Sequence, residues 1–383
     1  MITKVLVGLV SGLLSCLVPL SLGAEEIELN PGHPEHYMVK KGDTLWDISA
    51  LFLKKPWLWP KIWRMNPQIK NPHLIYPGDV LTLAFEAGRP VLQLGRSHGR
   101  SIRSPTVREY EHEKAIPPIP LDAIWPFLSA PRVVGPEEMA NAPYVVGSQD
   151  GHLVSDTSNR VYIRGVRDNR VNRYTVFRCG EVYRNPPAEN YQDLRYGMRT
   201  GLSDRYSATC IPGRGAGILG YEAIQVAEAS IERFGDPATG VITEAKREVL
   251  VGDRLLPQAG LEFPEFIPHA PIQAVTGHII SVIDAVSQVG PYQVLVLNRD
   301  SHAGLELGHV LAIYQSGIVV QDPVAAQLRA QHGFARDRRS EYVELPHERI
   351  GELMVFRTFD KVSYALVMRT NRAVHIYDSV QNP

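Results

Sequence analysis

Three cysteines, 13 histidines and one glycine-rich hexapeptide are the places where this 383-residue chain could do chemistry. A thiol nucleophile needs a basic partner to deprotonate it. Cys179, in "FRCGEVY", has no flanking motif that supplies one. A hydrolytic zinc site needs closely spaced histidine and acidic ligands. His98, His112, His152, His278, His302 and His309 are instead spread over separate predicted loops and strands. The pair His302 and His309 has the spacing of a solvated, Gly-rich hairpin. Paired carboxylates of a glycosidase type could meet from distant positions, but no segment argues for them. Gly215-Ala216-Gly217-Ile218-Leu219-Gly220 fits G-x-G-x-x-G, a fingerprint that needs a buried strand before it and a helix after it. The preceding "SDRYSATCIP" is no such strand, so the hexapeptide reads as a loop entering a strand. The expectation is a protein without catalytic residues, cofactor or metal.

The elements around these residues follow from composition. A formal net charge of -1 argues against broad electrostatic binding to nucleic acid or anionic lipid. The 29 prolines and 31 glycines favour turn-rich β modules over helical bundles. Residues 1–23, "MITKVLVGLVSGLLSCLVPLSLG", read as a secretory signal peptide, with Ser21-Leu22-Gly23 as cleavage site. A lipoprotein signal at Cys16 is the rival reading, disfavoured because "LVPLSLGA" after it stays apolar. No other run is long and apolar enough to span a bilayer. Export to the periplasm or cell wall leaves Cys179 and Cys210, either a disulfide or two buried thiols.

Residues 37–49, "YMVKKGDTLWDIS", have a definite local shape. Strand-forming residues run into Gly42-Asp43, and Leu45, Ile48 and Phe52 then fall on one helical face. Thr44 lies three residues before Asp47, as in a capping box. This predicts a first helix over about 44–53, a short second helix around Ile62 and Trp63, and a Pro77-Gly78 turn into a strand at 80–83. The unit is β-α-α-β, with the two strands paired and the helices on one face.

From 37 to 83 the chain resembles the LysM family: "GDTLW" after a strand, Asn66 near the end of a second helix, and "IYPGDVL" entering a closing strand. The resemblance covers about an eighth of the chain and implies a domain over 36–84. It also implies binding of N-acetylglucosamine-containing glycan, as in peptidoglycan or chitin, in a groove between two loops. Carried over here, these are Gly42, Asp43, Thr44 and Leu45, facing Asn71, Pro72, Leu74, Ile75 and Tyr76. Leu45 and Ile75 could equally be core residues. Trp63 is expected in the core, and Trp57 and Trp59 either stack on sugars or pack inside.

Residues 85–120, rich in Arg, Ser, Pro and Gly, read as an extended linker with one short strand around 91–94. Beyond them lies an internal repeat. "GHLVS" (151–155) returns as "GHIIS" (277–281), "VYIRGVRD" (161–168) as "VLVLNRDS" (294–301), and "YTVFR" (174–178) as "LAIYQ" (311–315). "ILGYEAIQVAEAS" (218–230) returns as "RIGELMVFRTFDK" (349–361), and "REVLVGD" (247–253) as "RAVHIYD" (372–378). Alternating and β-branched blocks predict two small barrel- or sandwich-like modules, 121–257 and 272–383. The fold class is therefore multidomain α+β, a LysM-like unit followed by a duplicated, mainly-β body. The whole also resembles uncharacterised LysM-containing exported envelope proteins of proteobacteria.

The functional expectation is non-catalytic peptidoglycan binding that tethers a β-rich body to the wall, with no nucleic-acid partner. Two alternatives stay open. One is a wall-modifying enzyme whose active site lies in the body under no recognised motif. The other is a scaffold whose body binds another envelope protein.

Overall fold

The computed structural model describes residues 27–63, 75–95, 115–120, 123–124, 132–149, 151, 154–186, 217–258, 267–283, 288–315, 317, 319–324, 327 and 342–383. The expected signal peptide, Asn66, Asn71, Pro72, Leu74, Cys210, His98, His112 and His152 lie outside these residues. No described helix is long and apolar enough to cross a membrane.

The N-terminal unit begins with β1 (His36–Met38), followed by α1 (Leu45–Phe52). Thr44 caps α1: its Oγ1 accepts from the Asp47 amide at 3.1 Å and donates to Asp47 Oδ2 at 2.7 Å. A single 3-10 turn at Pro56–Leu58 leads into α2 (Trp59–Trp63). Trp46, Trp57, Trp59 and Trp63 are all buried, so the tryptophans left open between stacking and packing are core residues.

The closing strand is longer than expected and is not the last. β2 (Val80–Glu86) turns back into β3 (Arg89–Gly95), giving a three-stranded sheet in the order β1-β2-β3. This corrects the reading of 85–120 as an extended linker. Its first part is a full strand, paired from Glu86↔Arg89 to Val80↔Gly95. Val91 and Leu92 are buried, which is why the strand forms. The connection is the two-residue loop Ala87-Gly88, with φ of 48° and 76°. Positive φ at both positions is the geometry that twists with a hairpin.

After β4 (Arg132–Val134) and α3 (Pro136–Asn141) comes a first ring. It comprises β5 (Tyr144–Ser148), β6 (Val154–Ser155), β7 (Arg160–Arg164), β8 (Arg173–Arg184), β9 (Ile218–Arg233), β10 (Ala238–Ala245), β11 (Val249–Leu250) and β12 (Arg254–Pro257). The pairings run β5-β7-β10-β9-β8-β12 and return to β5, with β4 added on the outside of β9 and a small ribbon made by β6 and β11. Gly217 precedes β9, so the hexapeptide at 215–220 does enter a strand.

The second ring comprises β13 (Thr276–Val282), β14 (Gln288–Val289), β15 (Val294–Leu297), β16 (Val310–Gln315), β17 (Val319–Gln321), β18 (Tyr342–Glu344), β19 (Glu348–Thr358), β20 (Ser363–Thr370), β21 (Val374–His375) and β22 (Ser379–Gln381). It is a closed barrel in the order β13-β15-β20-β19-β16-β22, with β14 and β21 as a ribbon and β17 and β18 as another.

The pairing order matches the first ring strand for strand, and one turn is built alike. Asp253 Oδ2 accepts from the Leu250 amide at 2.8 Å, and Asp378 Oδ2 accepts from the His375 amide at 2.8 Å. The residue before each aspartate has positive φ, 95° at Gly252 and 74° at Tyr377. Of the five block pairs expected to repeat, four lie on strands that hold the same place in the two pairing orders, ribbons included. The first does not: β13 (Thr276–Val282) pairs with β15 as β5 (Tyr144–Ser148) pairs with β7, so "GHIIS" corresponds to residues before "GHLVS".

The second barrel is apolar on both faces. Leu353, Val355, Ala365 and Val367 fill its interior. The intervening Met354, Phe356, Tyr364 and Leu366 belong to one cluster with Ile116, Ile119, Ile124 and the tryptophans of the N-terminal unit. Strands buried on both sides read as unbroken apolar runs, here "VLVL" and "YALVM". The rings also touch each other. Ser281 Oγ donates to Glu181 Oε2 at 2.5 Å, and Asn298 Nδ2 donates to Asn185 Oδ1 at 3.0 Å.

Candidate functional site

The first of the two expected loops is a turn over residues 40–43 that needs glycine. Gly42 has φ +94°, a region costly for other residues. Asp43 builds the turn: its Oδ2 accepts from the Lys40 amide at 2.8 Å and from the Tyr37 hydroxyl at 2.9 Å. Burial, then the Asp43 carboxylate, pushes the Tyr37 phenol up to about 12. Thr44 and Leu45 are buried, Thr44 as the cap and Leu45 in the core.

The second loop mirrors this. Asp79 Oδ2 accepts from the Tyr76 amide at 3.0 Å, and Gly78 has φ +93°. Val39 joins the two turns, donating to Asp79 O at 2.8 Å and accepting from the Gly78 amide at 2.8 Å. Ile75 is fully buried, whereas Tyr76 is exposed. The structure thus brings Gly42, Asp43, Thr44 and Leu45 beside Ile75 and Tyr76. Of these, Leu45 and Ile75 are core, and Gly42, Asp43 and Tyr76 reach the rim.

Three backbone groups between the loops are suited to an amide-bearing ligand. The Leu45 and Trp46 amides open α1 and have no partner within the helix. The Ile75 carbonyl comes from the opposite loop. All three are engaged by a segment of the same chain. Leu45 N donates to Pro117 O at 3.0 Å, Trp46 N donates to Pro118 O at 3.1 Å, and Ile116 N donates to Ile75 O at 2.8 Å. Sequence reasoning missed this contact, because "AIPPIP" has no periodicity and reads as linker. Its signal was two isoleucines flanking a proline pair, with nothing nearby to bury them.

Elsewhere, Cys179 on β8 is disulfide-bonded, and its expected partner Cys210 lies outside the described residues. His302 sits on an exposed turn, but His309 is buried, against the expectation that both are solvated. His309 Nδ1 accepts from the Glu306 amide at 3.0 Å, which leaves the proton of the neutral ring on Nε2. Burial, then the neighbouring His269, lowers its pKa. His269 Nδ1 lies 2.8 Å from the Ile267 carbonyl, and the two rings meet edge to face at 4.6 Å. Ligand atoms of His269, Glu306 and His309 all lie within 4.8 Å of one another. The histidines sit in a backbone clasp, since His269 N donates to Gly308 O and Val310 N donates to His269 O.

Comparison with known proteins agrees with this geometry over the N-terminal unit. Residues 37–84 match the LysM domain family. An uncharacterized Bacillus subtilis protein, YqbP, is 40% identical over 60 residues, covering 13% of this chain and 27% of YqbP. The match therefore spans about a quarter of that relative's length. Residues 37–84 are a LysM domain, a module that implies binding of peptidoglycan- or chitin-type glycan.

Proposed function

We propose that the protein is a non-catalytic peptidoglycan-binding protein of the cell envelope, exported by its N-terminal signal, whose LysM domain carries the β-rich body to the wall. The observation that supports this most is the pair of glycine turns at Gly42 and Gly78, joined through Val39. Together they hold two backbone amides and one carbonyl at a single place. An acetamido group offers a carbonyl acceptor and an N–H donor, the complement of such a set. A docked body replaces the flexible tether of the sequence-based expectation, because one apolar cluster joins LysM residues to the outer face of the second barrel. The body itself we take to be two copies of one six-stranded module, on the grounds of equal pairing order and the matching aspartate turns at Asp253 and Asp378.

Titration of the intact chain with soluble peptidoglycan glycan strands in a calorimeter tests the binding. A Gly42→Val variant, strained at φ +94°, should lose the heat signal while the two rings stay folded. A folded variant that binds as well as the unaltered chain would place the glycan elsewhere.

A scaffold role for the body is favoured by the ribbon of β17 and β18. Val343 is exposed there, as are Val324 and Leu345, close in sequence to the ends of the two strands, and exposed apolar side chains near a strand pair suit a protein partner.

A further inference from the structure

The LysM site is already filled from within. We propose that residues 116–119 are a latch that occupies the glycan site of this same chain, so that glycan binding and latch closure exclude each other. The inference rests on the glycan-binding reading above.

The Leu45 and Trp46 amides each carry a single hydrogen, and both are directed at the latch, at Pro117 O and Pro118 O. A sugar acetamido carbonyl cannot accept from either amide while the latch is seated. The Ile75 carbonyl likewise receives the Ile116 amide at 2.8 Å. The latch thus presents two acceptors and one donor, the chemistry an N-acetylated sugar would bring to the same groups. It is also held by packing, since Ile116 and Ile119 are almost completely buried. Pro117 and Pro118 have no N–H to satisfy and are preset in an extended form, which lowers the entropy lost on seating.

The latch reaches further than the groove. Ile119 and Ile124 share one apolar cluster with the LysM core and the outer face of the second barrel. Its release would therefore remove part of what clamps LysM to the body. The closed form is a clamped domain with a filled site, and the open form is a glycan-bound domain with a loosened clamp. Where only a fraction of molecules is open, apparent affinity falls by that fraction.

The test uses the full chain and the N-acetylglucosamine pentamer. In Ile116→Asp/Ile119→Asp, two carboxylates cannot be buried without partners, so the latch should leave its seat. Calorimetry should then give pentamer binding at least tenfold tighter than in the unaltered protein. Hydrogen exchange on the unaltered protein provides a measurement independent of the variant's folding. Saturating pentamer should speed exchange at Ile116 while Leu45 and Trp46 stay slow. Equal affinities with unchanged Ile116 exchange would overturn the latch and leave glycan binding standing. Absence of binding to both proteins, with the variant's circular dichroism unchanged, would overturn the latch and the glycan reading together. Should the variant fail to fold, the Ile116 exchange rate decides alone.

Discussion

The Tyr292 hydroxyl donates to Asp47 Oδ1 at 2.6 Å, joining the second barrel to the capping acid of the LysM helix across 245 positions of sequence. The equivalent turn of the first ring is built the same way but carries Ser158. Both residues have positive φ, 63° at Tyr292 and 70° at Ser158. Both donate their amides to the facing strand, Tyr292 to Val367 O at 2.7 Å and Ser158 to Ile242 O at 2.8 Å. One side chain therefore distinguishes the turn that holds LysM from the turn that does not. Replacing Tyr292 with Ser should leave both rings intact and loosen the clamp. The expected loss is about 0.5–1.5 kcal/mol, the typical net worth of one hydrogen bond. Faster hydrogen exchange in α1, with no change in the barrel strands, checks it.

The titration behaviour predicts instability at both ends of the pH scale. Burial raises the phenols of Tyr37, Tyr183, Tyr292 and Tyr364 above their ordinary value of 10.0, with Tyr37 at about 12. A raised folded-state value means that stability is fully present below pH 10. It is then lost as pH rises, for Tyr37 through about 12. At the acid end, burial lowers His278 and His309 below 6.5. Their contribution is present above that pH and falls away as the unfolded chain takes up protons below it. Urea midpoints measured from pH 5 to 11.5 should show a plateau between these limits. A midpoint still rising above pH 10 would contradict the assignment.

The β2–β3 hairpin offers a stabilising substitution. Ala87 has φ 48°, where a Cβ is unfavourable and Asn is tolerated. Ala87→Asn should raise stability by about 0.5–1 kcal/mol, read from the urea midpoint. A loss of stability would mean that the loop is held by contacts of the Ala87 methyl.

The disulfide at Cys179 is expected to close on Cys210 and to contribute about 2–4 kcal/mol. Peptide mapping without reductant should recover the two cysteines in one linked peptide. Recovery of Cys210 as a free, alkylated thiol would contradict the pairing.

What the sequence revealed follows from how each signal is encoded. The β1–α1 turn was legible because Gly42, Thr44 and Asp47 act locally, within one turn of chain. β3 was only partly legible, as a short strand around 91–94, because its turn is Ala-Gly, not Asn-Gly, and the arginines around it resemble a linker. The β-rich body was legible from its alternating blocks and from aspartate turns such as those at Asp253 and Asp378. The expected block pair "GHLVS" and "GHIIS" look alike, but only the second lies on a strand that pairs with β15. The site was half legible. Its loops were visible in sequence, but the latch was not, because a proline segment carries no period and its hydrogen-bond partners lie 41 to 72 positions away.

On the proposed reading, this chain holds peptidoglycan through LysM and does not cut it. Co-sedimentation of the intact chain with purified sacculi, followed by chromatography of the supernatant, tests it most directly. The protein should pellet, be released by excess N-acetylglucosamine oligomers, and leave no muropeptides in solution. Muropeptides in the supernatant, or pelleting that the oligomers cannot reverse, would contradict the account.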